Sequence, residues 1–243
     1  CLTELVEFYI QAGSGNLFTN CQSSEMYNLT DEERIALTKH VVKVANGRVP
    51  IVATGTFSKD TSVQAEFIKR IYDTGIEAAI CVSGVMADRE ESDALFEDRV
   101  LDLMDKTGDI PLGFYECPIP YKRVLNADSV KKFVATGRLA YLKECSHDLI
   151  SVKGKLQASQ GSNFKIYEAY MGNALDSIKA GVAGFCCIQG NFCPELVVWL
   201  ADHYEDAGLE DKVRTAQEYL WYNLALMERD YQIVSRYFLQ QRG

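Results

Sequence analysis

Arg138-Leu139-Ala140-Tyr141-Leu142-Lys143-Glu144-Cys145 reads as a buried strand with an ammonium near its carboxyl end. Strands in an alternating β/α protein are apolar on both faces, so a charge there is costly unless it is paired or neutral. Burial lowers a lysine pKa, and a neutral amine attacks carbonyls. A second such run, Pro111-Leu112-Gly113-Phe114-Tyr115-Glu116-Cys117-Pro118, carries at its end Tyr115, a phenol able to move protons. Elsewhere a lysine near a strand end snorkels or forms an ion pair, and a strand tyrosine packs in a core or interface. The pair together points to Schiff-base chemistry.

Outward from these two strands the pattern alternates helix and strand. Leu2 to Gln11 reads as a helix with Leu2, Leu5, Val6 and Tyr9 on one stripe, and Asn16 to Asn20 as a short strand. Thr30-Asp31-Glu32-Glu33 is a capping box opening a helix to Ala45, closed by Asn46-Gly47. Strands follow at Pro50 to Thr54 and Glu77 to Ser83, with a helix between them opened by Ser58-Lys59-Asp60-Thr61 and closed near Thr74-Gly75. A helix over Ser92 to Lys106 leads to the Pro111 to Cys117 strand. The second half repeats the alternation. Asp128 to Thr136 is a helix, Leu139 to Glu144 a strand, and His147 to Leu156 a helix interrupted by Gly154. Phe164 to Glu168 is a strand, Met171 to Ala180 a helix, and Ala183 to Ile188 a strand. Pro194 to His203 is a helix with proline in its first turn, followed by helices over Leu209 to Met227 and Arg229 to Gln241.

Seven strands joined by helices imply a parallel sheet with right-handed crossovers, either open and doubly wound or closed as a barrel. Ser23, Tyr115, Lys143, and Gln189 with Asn191, lie at the carboxyl ends of four different strands, which is the barrel arrangement of a site. No G-x-G-x-x-G follows an early strand, because Gly13-Ser14-Gly15 precedes one, and there is no P-loop.

The 243 residues, 47% apolar and 24% charged, fit one α/β barrel-sized core or two small domains. A net charge of −9, with basic residues no denser than pairs such as Lys122-Arg123 and Lys131-Lys132, argues against nucleic acid as a partner. No apolar run is long enough to cross a membrane, and the first seven residues lack a basic leader. Of the eight cysteines, Cys81, Cys117, Cys145, Cys186 and Cys187 fall in or at the ends of strands. There is no C-x-x-C and the three histidines are scattered, so a zinc site is weakly supported. Reduced, buried thiols in a cytoplasmic protein are the expectation.

Four segments, in order, resemble the dihydrodipicolinate synthase and N-acetylneuraminate lyase superfamily of (β/α)8 TIM-barrel class I aldolases. Leu17 to Glu25 followed by Leu29 to Arg34 is similar to that family's G-[ST]-T-G-E loop and next helix. Phe114-Tyr115-Glu116-Cys117-Pro118 resembles its Y-N-x-P segment, and Tyr141 to Asp148 its G-x-K-[ED]-[AS]-[ST]-x-D segment. Gly181 to Gly184, then Gln189-Gly190-Asn191-Phe192-Cys193-Pro194, resembles its last strand and following turn. The resemblance implies a barrel over residues 1–207 whose first strand lies upstream of Cys1, and a C-terminal helical segment over 208–243 that is incomplete.

It further implies that Lys143 is the Schiff-base lysine and Tyr115 the proton shuttle. Gln22 and Ser23 match the two residues that hold the carboxylate of pyruvate or another 2-oxo acid, and Cys145, Gln189 and Asn191 join the substrate site. Glu25 matches a glutamate with a structural role. The expected activity is a carbon–carbon or carbon–oxygen lyase, aldolase or dehydratase, with no metal or organic cofactor, in a homo-oligomer, by family a tetramer. Several positions depart from the pattern. Cys21 and Ser24 replace glycines, Glu116 an asparagine, and Pro120 the arginine that synthases use on the second substrate. Gly84-Val85-Met86-Ala87 lacks the synthases' second tyrosine, and Ala169-Tyr170-Met171-Gly172 lacks the lyase's acidic pair. Lys122 or Arg123 is a candidate replacement for the lost cation. Two other readings stand beside this one: an inactive barrel serving as a metabolite-binding or scaffold protein, and a cysteine enzyme using Cys145 or Cys117 with His147.

Overall fold

The computed structural model describes residues 2–227 and 230–243. Helix α1 (Leu2–Gln11) precedes strand β1 (Leu17–Thr19); α2 (Asp31–Ala45), β2 (Ile51–Thr54), α3 (Thr61–Tyr72) and β3 (Ala78–Val82) follow. Then come the short α4 (Ser83–Met86), α5 (Asp93–Lys106), β4 (Leu112–Tyr115), α6 (Ala127–Val134), β5 (Leu139–Glu144), α7 (Leu149–Ala158) and β6 (Lys165–Glu168). The chain continues through α8 (Ala174–Ala180), β7 (Gly184–Phe185), α9 (Pro194–His203), α10 (Glu210–Met227) and α11 (Tyr231–Arg242).

The strands form one parallel sheet in sequential order β1 to β7, curled so that its two faces differ. Parallel neighbours in chain order require each crossover helix on the same outer side, which produces a half-barrel with a helical jacket. Side chains alternate between the faces. Val52, Ala78, Ile80, Val82, Tyr115 and Tyr141 pack inside the curl. Ala53, Ala79, Cys81, Phe114, Leu142 and Ile166 point outward, against the helices. The outer core is anchored by Phe96, Phe114 and Phe133, whose ring centroids lie 5.4–6.0 Å apart. Gly113 sits where the β4–β5 register shifts. A Cβ there would stand 2.6 Å from Ile80 Cδ1 and 2.8 Å from the Tyr141 carbonyl oxygen, so only glycine fits.

Local sequence explains most element ends. Thr30 and Glu33 form the expected reciprocal cap of α2, and Asn46 closes it in the left-handed region at φ 48°. Asp60, Ser92, Asn126 and Asp148 each accept a first-turn N–H of α3, α5, α6 and α7. Three expectations need correction. The last strand is Gly184–Phe185, not Ala183 to Ile188: β6 ends at Glu168, so the ladder stops with Cys186 N–H donating to the Glu168 carbonyl, and Ile188 opens a 3₁₀ turn. The helix expected from His147 starts at Leu149, because His147 has φ 63° and Asp148 is the cap. The loop Gly84 to Ala87 begins as the helical turn α4. Arg229, the expected start of the last helix, and Cys1 lie outside the described residues.

Among the described residues β1 and β7 are the two sheet edges, and they do not pair with each other. A separate apolar cluster of Met171, Ala174, Cys187, Val197, Leu200, Val213, Ala216 and Leu220 fixes α9 and α10 to the end of the sheet. No described helix is long and apolar enough to cross a membrane.

Candidate active site

Alternation along β5 turns Tyr141 and Lys143 into the curl and Leu142 and Glu144 out of it. On β4, Tyr115 turns in and pairs in register with Lys143. The Lys143 Nζ therefore rises 4.5 Å from the centroid of the Tyr115 ring and 5.8 Å from that of Phe18. Tyr115 is buried and meets Phe18 edge-on, with centroids 5.7 Å apart. The Tyr115 carbonyl side of the strand end is tied down by Ser83, and the Glu116 N–H donates to the Lys143 carbonyl at 3.3 Å.

The amine opens onto a cavity of about 630 Å³ running between β1 and β7 under α1, α9 and α11, lined near Lys143 by Phe18, Cys21, Ser23, Cys186 and Asn191. That volume is in the range of small-molecule sites. Among the described residues no carboxylate lies within ion-pair distance of Lys143. Burial acts to lower the Lys143 ammonium, while negative charge on Cys186, Tyr115, Cys21 and Cys145 acts to raise it, and the balance is upward. Burial in turn raises Tyr115, Cys145 and Cys186. Their charges therefore arise only in alkaline solution. At neutral pH these three are uncharged, and desolvation is what the amine experiences from them. An ammonium in such a pocket attracts an anion, and the free amine is a nucleophile.

The loop after β1 supplies hydroxyls. Residues Gln22–Ser24 form one 3₁₀ turn, with the Ser24 hydroxyl accepting from Cys21 N–H at 3.0 Å and donating to the Cys21 carbonyl at 3.1 Å. Serine thus closes the turn without the glycine expected there. Glu25, at φ 51°, is held by an ion pair with Arg236 of α11. Ser23 faces the cavity and accepts a hydrogen bond from Asn191 Nδ2 at 3.2 Å. Asn191 is oriented by a second donation, to the Ile188 carbonyl at 2.8 Å.

Behind the strand ends lies a layer of buried charge. Glu116, Glu144 and Glu168 each follow a residue that faces the lumen, so all three point outward, and all are fully buried. Lys155 of α7 reaches between two of them, 2.6 Å from Glu116 Oε1 and 2.8 Å from Glu144 Oε1. The carboxylates also fasten the loops around the site. Glu116 accepts from Leu125 N–H at 3.0 Å and Cys145 N–H at 2.9 Å, and Glu144 from Ser146 N–H at 3.1 Å. Glu168 accepts from Tyr170 N–H at 2.8 Å and the Ser177 hydroxyl at 2.7 Å. Burial raises Glu116, with the neighbouring Glu144 adding to it against the pull of Lys155. Burial likewise raises Glu168 to about 7. The Lys155 ammonium is opposed by burial but raised on balance by its two carboxylates.

Lys143, Tyr115, Ser23 and Asn191 are thus brought together. Cys145 is buried beside Tyr115, its N–H held by Glu116. Gln22 turns its amide oxygen toward Cys117, 3.5 Å from the thiol. Gln189 turns away: it is fully buried and donates to the Leu220 carbonyl at 2.6 Å, linking α10 to the turn after β7. Arg123 is no replacement cation, since it is buried in bonds to Asp93, Tyr121 and the Asp88 and Glu91 carbonyls. Lys122 is on the rim, 3.5 Å from His147, whose ring stacks on Tyr170 with centroids 4.4 Å apart. Lys155 was not anticipated from the sequence. Among the described residues no cluster of three or more His, Cys, Asp or Glu could hold a metal ion.

The model of the "Dihydrodipicolinate synthetase family" matches residues 1–236. The 4-hydroxy-tetrahydrodipicolinate synthase of Exiguobacterium sp. is 29% identical over 198 residues, covering 82% of this chain. That of Oceanobacillus iheyensis is 24% identical over 200 residues, covering 81%. The chain spans 66% of the length of each of these relatives. In fold, the chain is similar to a prophage protein of the dihydrodipicolinic acid synthase family from E. coli K12, solved in complex with pyruvate. The TM-score is 0.85 at 18% identity, covering 99% of this chain and 81% of that one. The seven-stranded half-barrel therefore has the architecture of the (β/α)8 barrels.

Proposed function

The chain belongs to the dihydrodipicolinate synthetase family, and on that premise we propose that it acts on pyruvate or a related 2-oxo acid through a Schiff base on Lys143. The observation that carries this reading is the Lys143 amine: on a half-buried side chain, without a carboxylate partner among the described residues, above the Tyr115 ring, and open to a cavity that also holds Ser23 and Asn191. The neutral amine adds to the ketone carbon, giving a carbinolamine. Loss of water leaves an iminium, and Tyr115 is the group placed to carry protons to and from the departing oxygen. The iminium withdraws electrons, so the adjacent carbon releases a proton to give an enamine, or a carbon–carbon bond one atom further breaks. The Ser23 hydroxyl is the donor for the substrate carboxylate. Condensation, cleavage and dehydration share this iminium and enamine.

Exchange of the pyruvate methyl protons in deuterium oxide, followed by NMR, tests the reading without knowledge of the second substrate. The expected result is enzyme-dependent exchange that Lys143→Ala abolishes. Exchange that persists in Lys143→Ala would refute the assignment.

A further inference from the structure

The inner face of α11 meets the cavity with polar groups. Tyr231 and Ser235, one turn apart, are each only 6% exposed and both line it, together with Gln232 and Arg236. Further along the helix the apolar Leu239 lines the same cavity. The Ser235 hydroxyl is buried and has no hydrogen-bond partner among the described residues, which marks the cavity beneath α11 as a place for a polar ligand. The Tyr231 ring packs on Phe192, and Tyr231 and Ser23 line the same cavity. The helix is pinned over the same loop by the Arg236–Glu25 ion pair and by Gln232 Nε2 donating to the Gln22 carbonyl at 3.5 Å.

A serine hydroxyl has one proton to donate and two lone pairs to accept with. Asn191 already fills one lone pair of Ser23. We propose that Tyr231 fills the other, so that Ser23 is committed as a donor into the cavity and α11 acts as the roof of a carboxylate-binding pocket. Tyr231 is then a positioning residue, and the motifs around Lys143 and Tyr115 do not include it. Burial pushes the Tyr231 phenol up to about 12, so it keeps its proton to donate at neutral pH. This inference rests on the Lys143 reading above and assigns how the same site recognises the acid group.

The test is borohydride trapping, measured as adduct against concentration, with pyruvate and with hydroxyacetone, a ketone lacking the carboxylate. Tyr231→Phe keeps the ring on Phe192 and removes only the hydroxyl. The expected result is a rise of about tenfold in the half-saturating pyruvate concentration, the order for a hydrogen bond serving a charged group. Trapping of hydroxyacetone should match the wild type, which also establishes that the variant is folded. In a Ser23→Ala background the same change should have no further effect on pyruvate. An equal loss with both ketones, or no loss with either, overturns the proposal. Should the wild type trap neither ketone, the Lys143 reading fails first and this one falls with it.

Discussion

Replacing Lys155 with methionine removes the one cation from the buried layer behind the strand ends while keeping a chain of similar length. Glu116 and Glu144 would then face each other, both fully buried, across the space the ammonium filled. Breaking a buried pair by deleting one partner costs about 3–5 kcal/mol, because the remaining charge keeps its desolvation penalty. With a urea m value of about 3 kcal/mol/M for a chain of this size, the unfolding midpoint should fall by about 1–1.7 M. The loss should depend on pH. Burial raises Glu116 in the folded protein, so there is a pH window above the ordinary carboxyl value in which the folded state holds a proton that the unfolded chain has released. Stability from such a group falls as pH rises through that window. Loss of Lys155 removes a favourable charge and extends the window upward. The variant should therefore be damaged most near pH 8 and least near pH 5. Urea titrations at both pH values, with Glu116→Gln added to Lys155→Met, complete the test, and the double variant should recover part of the loss. A shift under about 0.3 M, or one of equal size at both pH values, would refute the charge-compensation argument.

Three further outcomes follow from the same geometry. Glu168, at about 7 when folded against an ordinary 4.5, should cost the protein about 3 kcal/mol between pH 4.5 and 7, so Glu168→Gln should flatten the stability profile there in chemical denaturation. Gly113→Ala would press a methyl group into Ile80 and the Tyr141 carbonyl and should destabilise by about 1–3 kcal/mol in thermal or urea unfolding. Tyr115→Phe keeps the ring under the amine but loses the phenolic proton, so methyl exchange should slow by about 100-fold while Schiff-base trapping survives.

Much of this was legible in residue order. The Thr30 and Glu33 cap, the alternation on β4 and β5, and the co-location of Lys143 with Tyr115 each follow from local periodicity and parity. Ser23 and Asn191 could be placed after their strands, yet Gln189, two residues from Asn191, turns to Leu220 instead. A 3₁₀ turn splits neighbours between opposite sides, and single-residue parity does not carry through it. Lys155 was illegible because a lysine on a helix beside Gly154 reads as solvent-facing. Its partners lie 11 and 39 residues away, and only the recurrence of a glutamate after each lumen-facing residue, at 116, 144 and 168, signals that a cation must enter. Tyr231 stayed hidden for a similar reason: what it does depends on where the last helix returns, which no periodicity encodes.

Reduction with borohydride in the presence of pyruvate, followed by peptide mapping, weighs the whole reading. A reduced adduct confined to the peptide bearing Lys143, and missing from Lys143→Arg, is the predicted outcome. An adduct on another lysine, or none with pyruvate and longer 2-oxo acids, would contradict it.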